Sequence, residues 1–265
     1  MSWAEALLLA VVQGLTEFLP VSSSGHLATI QNYVSGFQEA DLAYDVLLHA
    51  GTLVAVLIYY WKDLARMARS LVSTGPEAAA SRRLMWLVGA GTVPAAAGYV
   101  LLGDWFEESF HSLVGIGAGF LFTGAVLFLI RRKGSEGRGE PAMRWGDALG
   151  VGTAQMVAIL PSVSRSGLTI AAALALGLNR ELAVRYSFLL SIPAIAGANL
   201  VKARLLLAPG IPLGMWLTGA AISLVLAYAT IHILLRVVRT GHLAVFAYYC
   251  WAVGAAVLAV ELFRR

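Results

Sequence analysis

Two stretches of this chain resemble each other, and each interrupts an apolar segment with a polar turn. The first runs from Gln13 to His26 and reads QGLTEFLPVSSSGH, and the second runs from Gln155 to Thr169 and reads QMVAILPSVSRSGLT. Each is typical of a helix carrying a glutamine, a proline, a serine- and glycine-rich turn, and a second helix. Because charged and polar groups are costly inside a bilayer unless they line a cavity or a site, the two stretches predict a polar site within a membrane.

The composition places the chain in a membrane. Hydrophobic residues make up 59% of its 265 residues and charged residues only 13%, whereas soluble domains carry about 25% charge. The formal net charge of +4 comes from basic residues in short loops beside apolar segments, as the positive-inside rule expects, and is no sign of a nucleic-acid partner. Cys250 is the only cysteine, which excludes an intrachain disulfide, and we expect a buried core residue there.

Six apolar stretches are long enough to cross a bilayer, which takes about 20 residues. They are Leu42 to Trp61, Leu84 to Leu102, Leu113 to Ile130, Tyr186 to Val201, Leu213 to Leu235 and Leu243 to Phe263. Two further apolar segments, from Trp3 to Val34 and from Trp145 to Leu178, are broken at residues 20–25 and 161–167, so that each arm is too short to span. We expect both to form re-entrant hairpins, and we expect the apolar N-terminus to be retained because it lacks the basic region and cleavage site of a signal peptide.

The order of these segments predicts an all-α polytopic membrane protein with an inverted-topology repeat. Each half has one re-entrant hairpin followed by three spans, and three crossings change sides, so the second half must start on the opposite side from the first. We assign residues 1–131 to the first repeat, 132–142 to a cytoplasmic linker and 143–265 to the second repeat, all within one membrane domain of residues 1–265.

The basic loops predict the orientation. Three basic loops share one side in this topology and should therefore be cytoplasmic. They are the loop with Lys62, Arg66, Arg69, Arg82 and Arg83, the central linker, and the loop with Arg236 and Arg239. An acidic loop with Asp104, Glu107 and Glu108 should face outside, as should both termini. Lys202 with Arg204, and Arg264 with Arg265, run against this rule.

Gln13 and Glu17 lie on one face of a helix because they are four residues apart. They could reach a membrane surface, but Glu17 lies beside the break rather than at the start of its arm. We expect Glu17 to hold a divalent cation, Mg²⁺ or Ca²⁺, with Gln13 adding a carbonyl oxygen or binding a water.

The two serine turns predict an anion site. Ser22, Ser23, Ser24 and Gly25 precede one helix, and Ser164, Arg165, Ser166 and Gly167 precede another. Simple helix capping needs one serine in each, while free backbone N–H groups at two helix starts also bind anions. The guanidinium of Arg165 can donate hydrogen bonds to two oxygens of one phosphate at the same time. It could instead form a structural salt bridge with Glu17.

Two histidines are candidates for catalysis. His26 lies one turn beyond the first serine turn, where its imidazole could act as nucleophile or as acid and base, and Ser23 deprotonated by His26 is the competing nucleophile. Asp45 and His49 are also four apart, and we expect them to form a supporting pair in which Asp45 orients His49.

These residues resemble a known family, the bacterial undecaprenyl-diphosphate phosphatases of the bacitracin-resistance type. The likeness rests on the stretch from Gln13 to His26, on Ser164 to Thr169, and on the runs YDVLLHAGTL from Tyr44 and SFLLSIP from Ser187. The chain departs from the family in having Pro161-Ser162 where Pro-Gly is usual, and it has Gln13 where many relatives have Glu.

The resemblance implies hydrolysis of undecaprenyl diphosphate to the monophosphate and inorganic phosphate, with a divalent cation, at a site that opens on the outer face of the bacterial inner membrane. Thr169 then joins the substrate-binding residues, and a homodimer is left open. A lipid flippase or transporter with an anion site is the alternative, and a purely structural subunit would leave Glu17, His26 and Arg165 without a use. The unrelated lipid-phosphate phosphatase class is excluded, because its motifs are absent.

Overall fold

The computed structural model describes residues 1–34, 39–109, 112–133, 137–207 and 211–264, with the side chains at 39–41 and 104–109 left out. Within those ranges the chain forms eleven α-helices and two short 3₁₀-helices and has no strand longer than a single bridge. The expected external acidic loop around Glu107 falls partly inside a helix whose side chains there are not described, and Gly134 lies outside the described residues.

The helices follow the order expected from the sequence. They are α1 (Trp3–Thr16), α2 (Ser23–Val34), α3 (Glu39–Tyr59), α4 (Trp61–Ser70), α5 (Pro76–Ser109), α6 (Leu113–Ile130), α7 (Trp145–Val157), α8 (Arg165–Ala175), α9 (Arg180–Val201), α10 (Leu213–Arg239) and α11 (Ala244–Arg264). The 3₁₀-helices are Glu140–Ala142 and Ala203–Leu207.

Six helices, α3, α5, α6, α9, α10 and α11, are long and apolar enough to cross a membrane, which confirms a multi-pass membrane protein. Each contains most of one predicted span. The largest difference is at α5, which has 34 residues and extends beyond both ends of the predicted span. It also continues through Pro94, because a proline kinks a helix without always ending it. The short α4 was not predicted from the hydrophobic pattern.

Both broken segments form two short helices around a turn. The helices α1, α2, α7 and α8 have 14, 12, 13 and 11 residues, all below the ~20 needed to span. The backbone turns through the left-handed region at Ser22, with φ of 66°, and at Ser162, with φ of 57°. Since α2 begins at Ser23 and α8 at Arg165, the breaks end earlier than predicted, and Gly25 and Gly167 lie inside the first helical turns.

The packing of the two halves is reciprocal. Helix α1 packs against α10 and α7 against α5, so the first helix of each broken segment contacts the second span of the other half. The first spans α3 and α9 contact each other, as do the third spans α6 and α11. Gly14 brings α1 against the backbone of Ser223 in α10, and Gly152 brings α7 against Gly91 in α5, leaving no room for a Cβ at either glycine.

The described part of the central linker is fixed to the helices. Arg138 donates two hydrogen bonds of 2.8 Å to the carboxylate of Asp147 at the start of α7. Arg185 in α9 pairs with Glu140 of the linker and with Asp63 of α4. Cys250 is fully buried in α11, as expected for a core residue.

Candidate active site

Glu17 is the centre of a buried polar cluster. It follows the last residue of α1 directly, and only 7% of its surface is exposed. Its Oε1 accepts a hydrogen bond from Nη2 of Arg165 at 2.6 Å, and its Oε2 accepts one from the hydroxyl of Ser23 at 2.6 Å and one from the amide of Gln13 at 2.9 Å. Four predicted site residues from the two broken segments therefore meet at one carboxylate.

Arg165 is the first residue of α8 and reaches Glu17 from the other half of the chain. The ion pair that the sequence left open is thus present. It does not use the whole guanidinium, because Nη1 is buried and has no hydrogen-bond partner. A buried N–H without an acceptor is costly, so this group is suited to an anion that enters beside it.

A cavity of about 420 Å³ opens beside this cluster. Predicted site residues on its wall are Glu17, Ser22, Ser23, Ser24, Asp45, His49, Ser164 and Arg165. Gln13 supports Glu17 from behind. His26 and four further predicted residues are not on the wall, namely Gly25, Ser166, Gly167 and Thr169.

Helices α3 and α9 form the long walls of the cavity. Ile195, deep on α9, is buried, whereas Asn199 and Lys202 toward the end of the helix are half-buried. On α3 the wall runs from Leu42 to His49. Lys202 is the last wall residue at the end of α9, and we assign the mouth of the cavity to it, opposite to the end of α9 that carries Arg185 and its ion pairs.

Sequence reasoning missed Gln31, Asn199 and Lys202 as wall residues. The amide of Gln31 donates to both carboxylate oxygens of Asp45, at 2.9 and 3.0 Å. The sequence carried one signal of this wall, because Lys202 runs against the positive-inside rule in the topology predicted from the sequence.

The two serine turns are built alike and act as helix caps. Ser22 Oγ accepts the backbone N–H of Gly25 at 3.2 Å, and Ser164 Oγ accepts that of Gly167 at 3.1 Å. The N–H groups of these two glycines, which were expected to bind an anion, are therefore occupied by the protein. Ser23 has no such role, and its hydroxyl is directed to Glu17 instead.

Ser166 and Thr169 connect helices rather than line the cavity. The Ser166 hydroxyl donates to the carbonyl of Leu19 in the first half at 3.0 Å. The Thr169 hydroxyl lies 2.5 Å from that of Ser187 in α9. Both side chains hold α8 in place, which fixes the position of Arg165.

His26 faces away from the carboxylate. Its Nδ1 donates to the carbonyl of Ser22 at 2.7 Å, so in the neutral ring Nε2 accepts the hydroxyl proton of Tyr249, 2.8 Å away. The ring stacks on Tyr249 and meets the edge of Phe120. The Ser23 hydroxyl, which was expected to contact His26, donates to Glu17 instead. The α2 backbone directs the imidazole of His26 toward α11. No sequence signal pointed to Tyr249, which lies 223 residues away.

His49 is the imidazole on the cavity wall. Its Nε2 lies 3.6 Å from Oε2 of Glu17, and its Nδ1 donates to the main-chain carbonyl of Asp45 at 2.8 Å. The expected contact between the Asp45 carboxylate and His49 is not the one observed: His49 is held by the main-chain carbonyl of Asp45, and the carboxylate accepts from the amide of Gln31.

The oxygen donors around Glu17 fit a divalent cation whose other ligands are waters and substrate phosphates. In the parts of the chain that the structure describes, no three His, Cys, Asp or Glu side chains are grouped as metal ligands. One carboxylate and the unpartnered, buried Oε1 of Gln13 are hard oxygen donors. Mg²⁺ commonly binds through one or two carboxylates and otherwise keeps waters and substrate phosphates.

Comparisons with known proteins place this geometry in context. The family model described as bacitracin resistance protein BacA matches residues 6–256. Undecaprenyl-diphosphatase of Syntrophotalea carbinolica is 42% identical, over 98% of this chain and 100% of its own length. The proteins of the same name from Desulfatibacillum aliphaticivorans and Hahella chejuensis are 44% and 42% identical, each over 97% of this chain and 98% of the relative.

Proposed function

Because this chain belongs to the BacA family of bacitracin resistance proteins, we infer that it is an undecaprenyl-diphosphatase. It hydrolyses undecaprenyl diphosphate to undecaprenyl phosphate and inorganic phosphate. The observation that carries the site assignment is the chain of contacts from Arg165 through Glu17 to the Ser23 hydroxyl, on the wall of one cavity. A carrier needs an anion site but no activated hydroxyl, so this contact favours the enzyme over a flippase.

We propose Ser23 as the nucleophile. Its oxygen attacks the terminal phosphorus while its proton passes to Oε2 of Glu17, and the bond from that phosphorus to the bridging oxygen breaks with its electron pair leaving on undecaprenyl phosphate. Water then attacks the phosphoserine, Ser23 recovers the proton from Glu17, and both protons of the water leave on dihydrogen phosphate. The 2.6 Å contact between Ser23 and Glu17 supports this assignment.

Arg165 is proposed to hold the phosphoryl group under attack. Its free Nη1 and its place beside Ser23 suit an oxygen of that group. Negative charge moves between the oxygens of a phosphoryl group during transfer, and a fixed cation in a water-poor site stabilises that charge without reorganising. A divalent cation, held by Glu17 and Gln13 when bound, would neutralise further diphosphate charge.

His26 is proposed to position the serine turn. Its imidazole and its backbone N–H both donate to the carbonyl of Ser22, the residue with a φ of 66°. A non-glycine residue is costly in that region and persists only when its surroundings hold it. His26 remains needed for turnover in this view, because the position of Ser23 depends on the residue before it.

We propose further that the two halves insert in opposite orientations and that the cavity opens outward. The repeated order of a short helix pair and three spans supports an inverted repeat, as does the reciprocal packing of the halves. The cavity mouth at Lys202 lies at the opposite end of α9 from the basic linker side, which supports an outer opening in the bacterial inner membrane. A homodimer stays an open prediction.

The test is phosphate release by the purified protein in detergent. With a polyprenyl diphosphate as substrate, Glu17→Gln should lower turnover by at least about 10³-fold, since it removes both the base and the partner of Arg165. Glu181→Gln, which changes an exposed carboxylate far from the cavity, is the control and should keep activity. Near-wild-type phosphate release by Glu17→Gln would contradict the role assigned to Glu17. No phosphate release by the unaltered protein would contradict the proposed diphosphatase function.

A further inference from the structure

Lys202 lies at the mouth of the cavity, and the roles proposed above for binding and transferring the phosphoryl group do not involve it. It is the C-cap of α9 and, with Asn199 one turn earlier, lines the same wall as the buried Ile195. Along the axis of α9, Ile195 and Lys202 are about 10 Å apart, at 1.5 Å per residue. Its side chain therefore lines the route from the cavity mouth to the cluster of Glu17 and Arg165.

The charges on the cavity wall give this lysine a role. Of the wall residues that the structure describes, Glu17 and Asp45 are acidic and Arg165 and Lys202 are basic. A diphosphate monoester brings about three negative charges at neutral pH, and the one arginine is already paired with Glu17. Lys202 thus supplies half of the cationic charge of the wall, and without it the described wall would carry a net negative charge that opposes an anion.

We propose that Lys202, assisted by the amide of Asn199, forms a second phosphate-binding subsite at the cavity mouth, which draws the diphosphate in from the outer surface. The proposal rests on the proposed function and deepens it. It assigns Lys202 to capture and Arg165 to transfer, so loss of Lys202 should weaken binding far more than it slows the chemical step. It also explains why a lysine lies on the side of the membrane that the positive-inside rule disfavours.

The competing explanation is structural. A lysine at the C-terminal end of a helix interacts favourably with the helix dipole, so Lys202 could merely stabilise α9. Arg204 offers a matched control, because it is a cation two residues further on the same side, is exposed, and does not line the cavity.

The experiment compares the full-length protein with Lys202→Gln, Lys202→Arg and Arg204→Gln, using a water-soluble short-chain prenyl diphosphate. Lys202→Gln should raise KM about tenfold, the factor that corresponds to ~1.4 kcal/mol of lost binding, with little change in kcat. Its kcat/KM should also depend less on salt than that of the unaltered protein, because screening weakens an attraction that the variant lacks. Lys202→Arg should restore most of the affinity, and Arg204→Gln should leave KM and the salt dependence unchanged.

Binding of the non-hydrolysable methylenediphosphonate separates this inference from the proposed function. Weaker binding by Lys202→Gln alone, at an unchanged melting temperature, supports the subsite even if the unaltered protein released no phosphate. A KM and a diphosphonate affinity within twofold of the unaltered protein, or an equal loss in Arg204→Gln, would overturn it. A loss that follows only a lower melting temperature would assign Lys202 to the helix end instead.

Discussion

The guanidinium of Arg165 lies 2.6 Å from the carboxylate of Glu17, although 148 residues separate them in the chain. Each charge comes from a different half, so the pair both joins the halves and fixes the position of the free Nη1. Removing either partner would leave the other charge buried without compensation, which costs about 3–5 kcal/mol. Substitutions that keep the charge are therefore the informative ones.

We expect Arg165→Lys to lower kcat by about 10²-fold, because lysine keeps the charge but loses the planar fork that can hold Glu17 and a phosphoryl oxygen together. Phosphate release and melting temperature should be measured on the same preparations. Arg239→Lys, in the exposed pair with Glu181, is the control. Full activity in Arg165→Lys, or a loss no greater than the loss of folded protein, would show that the pair is only structural.

The nucleophile can be identified by its adduct. Rapid acid quenching with substrate labelled on the terminal phosphate should trap label on Ser23, because phosphoserine survives acid whereas phosphohistidine does not. Ser23→Ala should abolish the adduct, and Tyr249→Phe, which removes only the hydroxyl bound to His26, should preserve it. An adduct that survives alkaline quenching but not acid, and that is lost in His26→Ala, would make His26 the nucleophile.

Ser162 is held in the left-handed region, and its hydroxyl is buried without a partner. We expect Ser162→Gly to raise the free energy of unfolding by about 1 kcal/mol, since glycine adopts that φ without strain. Ser162→Ala removes the same hydroxyl but keeps the Cβ, so it should gain less. Melting temperatures of the two variants in detergent give the comparison, and equal values for both would show that the backbone is not strained there.

The topology can be tested from the two ends of α6. After replacement of Cys250, Ser112→Cys should react with an impermeant thiol reagent on whole cells, while Lys133→Cys should react only after lysis. These exposed positions stand for the outer loop near Glu107 and the linker near Gly134. Equal labelling of both on intact cells would refute the opposite insertion of the halves.

The linker should make stability depend on pH. The guanidinium of Arg138, through its paired hydrogen bonds, holds the pKa of Asp147 below the ordinary value of 3.8. The stabilisation is therefore complete above that value and is lost as the pH falls through the lower folded-state pKa. Asp147→Asn should lower the melting temperature by a few degrees at pH 7, with a gap that narrows below about pH 4. A difference in melting temperature that stays constant with pH would show that the pair of Arg138 and Asp147 does not cause it.

Hydrophobic length allowed the spans to be predicted, because a bilayer imposes nearly the same length on every crossing. The ends of α6 match the prediction residue for residue, whereas α5 runs past both predicted ends, where polar residues continue a helix that hydropathy no longer marks. The meeting of Glu17, Ser23 and Arg165 followed from the repeated motif. The direction of His26 did not, because it is set by Tyr249 on a distant helix.

The distance in sequence between Glu17 and Arg165 has a consequence for biosynthesis. Ribosomes add about 5–20 residues per second, so Arg165 is made roughly 7–30 s after Glu17. During that interval the first broken segment carries a carboxylate whose counter-charge does not yet exist. The early half must keep Glu17 in contact with water or with a proton, and it can settle to its final depth only when the later half arrives.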